Sequence, residues 1–381
     1  MKKIGIMTFH RSHNCGSILQ SYAMQETLKK YGNQPEFIDF ATQGQKELYS
    51  VFRPLKYDSF RKFAKSIYKN LLGVILYKRA MQNWTSYDNY INSHLNLSKK
   101  SYNNNSELIE SDMGYDKYLT GSDQVWNIVI DDYDDAYFLN FVHDHPKIAY
   151  AVSQGAKDII KYTNNPSMYK DLISDFNYLS VREPNGQKWI KNSFNINSEV
   201  VLDPTLLLDK EDYINIEEPV DENLEKNSYI FVYATKMTKD FENIIKKTAK
   251  KEGLKIVVWQ PDTWVKMLGW SKGYILPKKQ NPGKYLTLMK NAKYVFTASF
   301  HGVIFAAQYR KNFWVLQNSG MDINKDDRIL SLLNNFKLAD RLLQSNEHDK
   351  NISDVVDYEY FESKILIDRE KSFNFLDRAV K

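Results

Sequence analysis

Residues 1–9 form an apolar run, MKKIGIMTF, that lacks helical spacing and predicts a buried strand. A polar turn, HRSHNCG, follows, and from Ser17 to Lys30 the apolar positions take the spacing of a helix. Gly32 closes that helix, as a residue free to adopt positive φ can. Residues 35–40 read as a second strand. Strand, turn, helix and strand in this order seed a doubly wound parallel sheet. Strand-like runs recur at 115–123, 147–155, 178–184 and 199–208, each ending in small or polar residues. Loops at the carboxyl ends of parallel strands carry the chemistry in open α/β sheets.

Residues 209–228 are acidic and poor in β-branched clusters, which marks a linker. A second α/β series starts after it. Strands are predicted at 229–235, 255–261, 292–299 and 312–317, with helices ending at Gly253, running from Gly283 to Asn291, and starting at His301. Residues 358–380 are a further helix candidate. The expected fold class is α/β, with two Rossmann-like domains facing a cleft. The amino-terminal domain is expected over 1–210 and the carboxyl-terminal one over 229–350. A helical tail at 351–381 is expected to pack back on the first. No internal repeat is visible, and the only low-complexity tract is a short Asn run at 103–105.

Composition narrows the class. The chain has 381 residues, which suits two domains at roughly 100–200 residues each. A net charge of +5 is mild over this length, so no nucleic-acid partner is expected. Cys15 is the single cysteine, which rules out a disulfide framework within one chain and makes a thiolate metal site implausible. His10 and His13 lie near it, but a fourth ligand is lacking, so no metal is expected. The first apolar run is too short for a signal peptide, and no stretch reaches the ~18 apolar residues of a membrane span. The expected location is cytoplasmic. The segment from Lys46 to Trp84 departs from this background: nine basic and two acidic residues alternate with aromatic and aliphatic ones. It predicts basic amphipathic helices, inserted at about 46–95. They form either a solvated face or a peripheral contact with the anionic inner face of a membrane.

Four constellations could carry chemistry. In the first loop, Gly16 and Ser17 open a helix, whose free N–H groups suit an anion or a sugar hydroxyl. His10 and Asn14 flank them, with Asn14 or Ser17 as the helix cap. In LTGSDQVWN (119–127), Ser122 and Asp123 form a turn after a strand. Asp123 suits a base or a hydroxyl acceptor, and Trp126 either a sugar-stacking face or a core position. In SVREPNG (180–186), Arg182 ends a buried-looking strand. It needs an anion, from a ligand or from Glu183 or Asp203, because an unpaired buried charge is costly. In TASFHGVIFAAQ (297–308), Ser299 suits the cap of a helix that His301 begins. An imidazole titrates near neutral pH and so moves protons in either direction.

Together, TFHRSHNCGSILQSYAMQ, YLTGSDQVWN, YAVSQG, SVREPNG, VVLDPTLLL and TASFHGVIFAAQ resemble the polysaccharide pyruvyl transferase family in their motifs and order, from Lys3 to about Phe313. The resemblance implies a fold like that of the GT-B glycosyltransferases. It implies transfer of a pyruvyl group from phosphoenolpyruvate to two sugar hydroxyls, giving a cyclic ketal in a bacterial capsule, exopolysaccharide or cell-wall polymer, without a cofactor. By that likeness His301 transfers protons, with Asp123 as a second catalytic group. Arg182, Ser299, Gly302 and Lys284 bind the donor. His10, Asn14, Gly16, Ser17, Ser122 and Trp126 face the acceptor, a glycan or lipid-linked sugar. Family members often carry an arginine beside this histidine; here Ser299 and Phe300 stand there, leaving Lys236, Lys284 or Arg310 to meet the donor's charge. The rival readings are a GT-B glycosyltransferase using a nucleotide sugar and a non-catalytic glycan-binding protein on the same scaffold.

Overall fold

The computed structural model describes residues 1–381 except 53, 56, 58, 318–326 and 348–349, so Arg53 and Lys56 of the basic segment lie outside the described residues. The chain divides into two compact units. One comprises residues 1–208 and 366–381, the other residues 209–365.

The first unit contains β1 (Lys3–Met7), α1 (Cys15–Lys30), β2 (Gln34–Phe40), α2 (Gln43–Tyr49), α3 (Phe60–Ile75), α4 (Tyr77–His94), β3 (Leu97–Tyr102), α5 (Asn105–Ile109), β4 (Lys117–Thr120), β5 (Lys147–Val152), α6 (Pro166–Ser174), β6 (Tyr178–Val181), α7 (Pro184–Phe194) and β7 (Glu199–Val200). Its seven strands are parallel in the order β3-β2-β1-β4-β5-β6-β7. Parallel strands are covered on both faces, and KIAYAV of β5 is accordingly buried throughout. The core gathers around Trp126, Tyr137 and Phe138. Asn14 caps α1 by accepting the Gly16 amide, and Lys29 and Lys30 meet the negative end of its dipole. Gly32 follows at φ +75°.

Two elements differ from the sequence pattern. LSKKSY forms the edge strand β3, whose exposed lysines hide it from an apolar-run criterion and suit a sheet edge. The strand expected over 199–208 stops early. Pro204 cannot donate to a ladder, and the Asp203 side chain accepts the Thr205 amide at 3.0 Å to start a 3₁₀ turn.

The second unit contains β8 (Tyr229–Tyr233), α8 (Lys239–Glu252), β9 (Lys255–Val258), α9 (Pro261–Lys266), α10 (Gly269–Lys272), α11 (Pro282–Asn291), β10 (Tyr294–Thr297), α12 (Phe300–Gln308), β11 (Asn312–Gln317), α13 (Asp327–Asn335) and β12 (Leu342–Gln344). The five strands are parallel in the order β12-β11-β10-β8-β9. A long helix, α14 (Glu359–Val380), begins in this unit and from Leu366 belongs to the first. There Arg369 donates to the carbonyls of Leu206 and Leu208, Ser372 Oγ accepts the Leu202 amide, and Lys117 donates to the Ala379 carbonyl. Among the described residues, no helix is long and apolar enough to cross a membrane.

Candidate active site

Each sheet has a point where the strand order reverses, and in such folds ligands collect outside the carboxyl ends of the strands at that point. In the first unit it lies between β1 and β4. The loop after β4 is shaped by its backbone. Gly121 sits at φ 109°, and a Cβ there would fall 2.1 Å from the Tyr150 carbonyl oxygen. Asp123 sits at φ 70°, a left-handed conformation that a non-glycine residue holds only at a cost. Held this way, Asp123 Oδ2 accepts the Ser17 hydroxyl at 2.5 Å and Oδ1 accepts the Gln124 amide at 2.9 Å.

A buried polar network continues from there. Ser122 Oγ donates to the Ala151 carbonyl at 2.8 Å and lies 3.1 Å from Asp203 Oδ2. Gln20 accepts the Ser122 amide and donates to Thr8 Oγ1. Arg182 Nη1 reaches Asp203 Oδ2 at 3.0 Å and Nε reaches Glu183 Oε1 at 2.7 Å. Burial alone would depress the guanidinium pKa, but Glu183, Asp203 and Asp123 outweigh it and raise it. Asp132 adds a carboxyl pushed up to about 6 by burial and by the charges of Asp123 and Asp131. The sequence reading missed Asp132, Gln20 and Thr8: the last two stand in the first motif but were not singled out there, and only the acidic run at 131–135 hinted at Asp132.

Several expected placements are corrected. Trp126 does not face a sugar. Its side chain is wholly buried, stacked on Phe138 at 4.6 Å with Nε1 donating to the Tyr137 carbonyl. His10 is equally buried, 3.0 Å from the Thr8 carbonyl and 3.5 Å from Asp39. Burial depresses its pKa despite Asp39, so it is a neutral interior ring rather than an acceptor contact. Ser122 is spent on the network. Arg182 has its charge compensated by two carboxylates, whose field would repel an anionic donor, so it is a poor donor ligand. Asn14 is exposed, and Gly16 and Ser17 sit in the first turn of α1 behind it.

In the second unit the strand order reverses between β8 and β10. The Ala298 amide donates to the Tyr233 carbonyl, and Thr297 Oγ1 does the same at 3.0 Å. Ser299 then caps α12, its Oγ accepting the Gly302 amide at 3.4 Å. A Cβ on Gly302 would meet Thr297 Oγ1 at 2.1 Å, so glycine lets the helix start this close to the strand. His301 occupies the first turn of α12, with its ring edge-on to Phe300 at 5.3 Å and 7% exposed. Lys284 is tied to Asp221 at 2.6 Å, and Arg310 to Glu362 at 2.5 Å. Lys236, exposed after β8, is three residues beyond Tyr233, the register partner of Thr297.

Comparison with known proteins places these motifs. The model of the polysaccharide pyruvyl transferase family matches residues 14–320. Among solved structures, the chain is similar to MnaA of S. aureus in its co-structure with UDP (TM-score 0.49, 14% identity, covering 100% of this chain and 91% of that one). It is similar to a UDP-N-acetylglucosamine 2-epimerase from Listeria monocytogenes (0.48, 12%, 100% and 91%) and to MurG of Acinetobacter baumannii (0.41, 10%, 100% and 99%). No curated protein matches the chain in sequence. A family model that spans most of the chain, from the cap of α1 past His301, shows that the chain belongs to the polysaccharide pyruvyl transferase family and is a transferase.

Proposed function

We propose that the protein moves a pyruvyl group from phosphoenolpyruvate onto two hydroxyls of one sugar in a bacterial surface polysaccharide, forming a cyclic ketal and releasing phosphate. The observation that carries this is His301 in the first turn of α12, at the switch point of the second sheet. The enol carbon must gain a proton, each attacking hydroxyl must lose one, and phosphate must leave. A positioned general acid and base serves these steps. The donor is a compact polyanion. Amides at the start of α12 and the ammonium of Lys236 are the groups this reading assigns to it, since Lys284 and Arg310 are already paired. Phosphate release from phosphoenolpyruvate that depends on an added glycoside, with the product gaining a carboxyethylidene group by mass, is the expected result. No release across a broad panel of glycosides would overturn the reading.

The same reading places the protein at the cytoplasmic face of an anionic membrane, working on a lipid-linked acceptor. Helix α3 supports this. Phe60 and Ile75 are 86% and 73% exposed, and Leu71 and Val74 are also exposed, beside the exposed cations Arg61 and Lys65. Apolar side chains left in water next to cations suit an interfacial helix, and each cation near an anionic surface contributes about 1 kcal/mol. The protein should sediment with vesicles containing anionic lipid and much less with neutral ones. Equal recovery from both would remove the membrane from the proposal.

A further inference from the structure

The first unit has a cavity of about 300 Å³ beside the polar network, and none of the expected acceptor residues lines it. That volume is at the lower end of small-molecule sites, roughly 300–1,000 Å³. Its walls come from segments far apart in sequence: the loop after β1, the end of β2, α2, α4 and the end of β3.

One wall is aromatic. The His13 ring is stacked on Tyr87 at 5.3 Å and lies 5.4 Å from Trp84 and 5.9 Å from Tyr49. Burial, and secondarily the charge of Arg11, depresses the His13 pKa to about 4, so the ring is neutral near pH 7. Trp84 is 41% exposed and therefore available to a ligand.

The facing wall is polar and electrically balanced, with Arg11 and Lys46 against Asp39 and Asp88. Arg11 forks onto Asp39, with Nε to Oδ1 at 2.5 Å and Nη2 to Oδ2 at 2.7 Å, and its Nη1 lies 3.4 Å from Asp88. Burial works to raise the Asp39 pKa, but the bonds from Arg11 and His10 override it and hold the carboxyl ionised. With Arg11 and Lys46 matched by Asp39 and Asp88, the lining carries no net positive charge to draw an anion such as phosphoenolpyruvate. The guanidinium is engaged by both, so it has no unopposed charge to offer a nucleotide diphosphate. What remains suits a neutral ligand with an apolar face and hydroxyls on its edge.

We propose that this cavity holds one neutral pyranose ring of the acceptor glycan, its C–H face on Trp84 and Tyr49 and its hydroxyls directed to Asp88, Asp39 and Arg11. The inference rests on the reading that the substrate is a glycan and assigns its recognition to Arg11 of the first motif together with Asp39, Tyr49, Trp84 and Asp88, which lie outside the motifs.

The test is binding of methyl pyranosides (glucoside, galactoside, mannoside, N-acetylglucosaminide) to the full chain without phosphoenolpyruvate. It is followed by saturation-transfer NMR and by tryptophan fluorescence. At least one pyranoside should bind, with affinity lowered at least ~10-fold by Trp84→Ala and by Asp88→Asn. Both altered side chains are partly exposed, and thermal melting verifies that the variants are folded. Binding that is indifferent to both substitutions, no binding by any pyranoside, or uridine diphosphate binding that Trp84→Ala abolishes, would each overturn the inference. Failure of the two readings is separable. Glycoside-dependent phosphate release that survives Trp84→Ala refutes the cavity and keeps pyruvyl transfer. Trp84-dependent binding with no phosphate release keeps the cavity and refutes pyruvyl transfer.

Discussion

Replacing His301 with alanine is expected to lower glycoside-dependent phosphate release at least ~100-fold, the lower bound of what positioned general acid–base groups contribute. The imidazole stands in the first turn of α12, and histidine is the side chain most often used as a general acid or base. Because His301 is buried, alanine also leaves a gap, and part of any loss could come from loosening the start of α12. His301→Gln separates the two effects, since it fills much of the volume and keeps a hydrogen-bonding end but carries no titratable proton. Both variants should lose turnover alike, while glutamine should melt closer to the wild type. Near-normal turnover of either would remove His301 from the chemistry.

Arg182→Ala is expected to cost about 3–5 kcal/mol of folding stability, the usual range when one partner of a buried ion pair is removed. Removing the guanidinium strands Asp203 and Glu183 together in the interior, both less than a tenth exposed. Asp203 also accepts the Thr205 amide and hydroxyl and contacts Ser122, so the loss spreads into the loop that holds Asp123. Against a total of roughly 5–15 kcal/mol this is a large fraction. Denaturant midpoints of Arg182→Ala, Asp203→Asn and the double variant measure it, and the double should cost less than the sum of the singles. A full-length variant of unchanged stability that has lost phosphoenolpyruvate binding would reverse the assignment and make Arg182 a donor ligand.

Local pattern located most strands of both sheets, because a strand buried on both faces is written as a continuous apolar run. It located the cap Ser299 and gave Asn14 as one of two candidates, with Ser17, for the cap of α1, since a cap depends only on its own next few residues. It could not locate β3, whose outward lysines look like loop, nor β12, which is three residues long. Residue roles were harder to read than positions. Trp126 and Arg182 stand where motifs suggest ligand contacts, yet stacking on Phe138 and pairing with Asp203 decide their roles, and both partners are distant in sequence. Arg11 stands in a motif and Trp84 at the end of the basic segment, but nothing local joins them to Asp39 and Asp88 as one cavity. Its walls are brought together only when β1, β2, β3 and α4 assemble.

The first unit is discontinuous in sequence, and this bears on how the protein is made. The Leu202 amide, the Lys117 ammonium and the carbonyls of Leu206 and Leu208 find partners in residues 366–381. A ribosome must therefore translate all of residues 209–365 before the earlier half can close. At roughly 5–20 residues per second that is a wait on the order of ten seconds. During that interval the seven-stranded half is a nascent chain with one flank of its interior open. Chaperone engagement should concentrate there, rather than on the later half, which is contiguous in the chain and completes itself as it emerges.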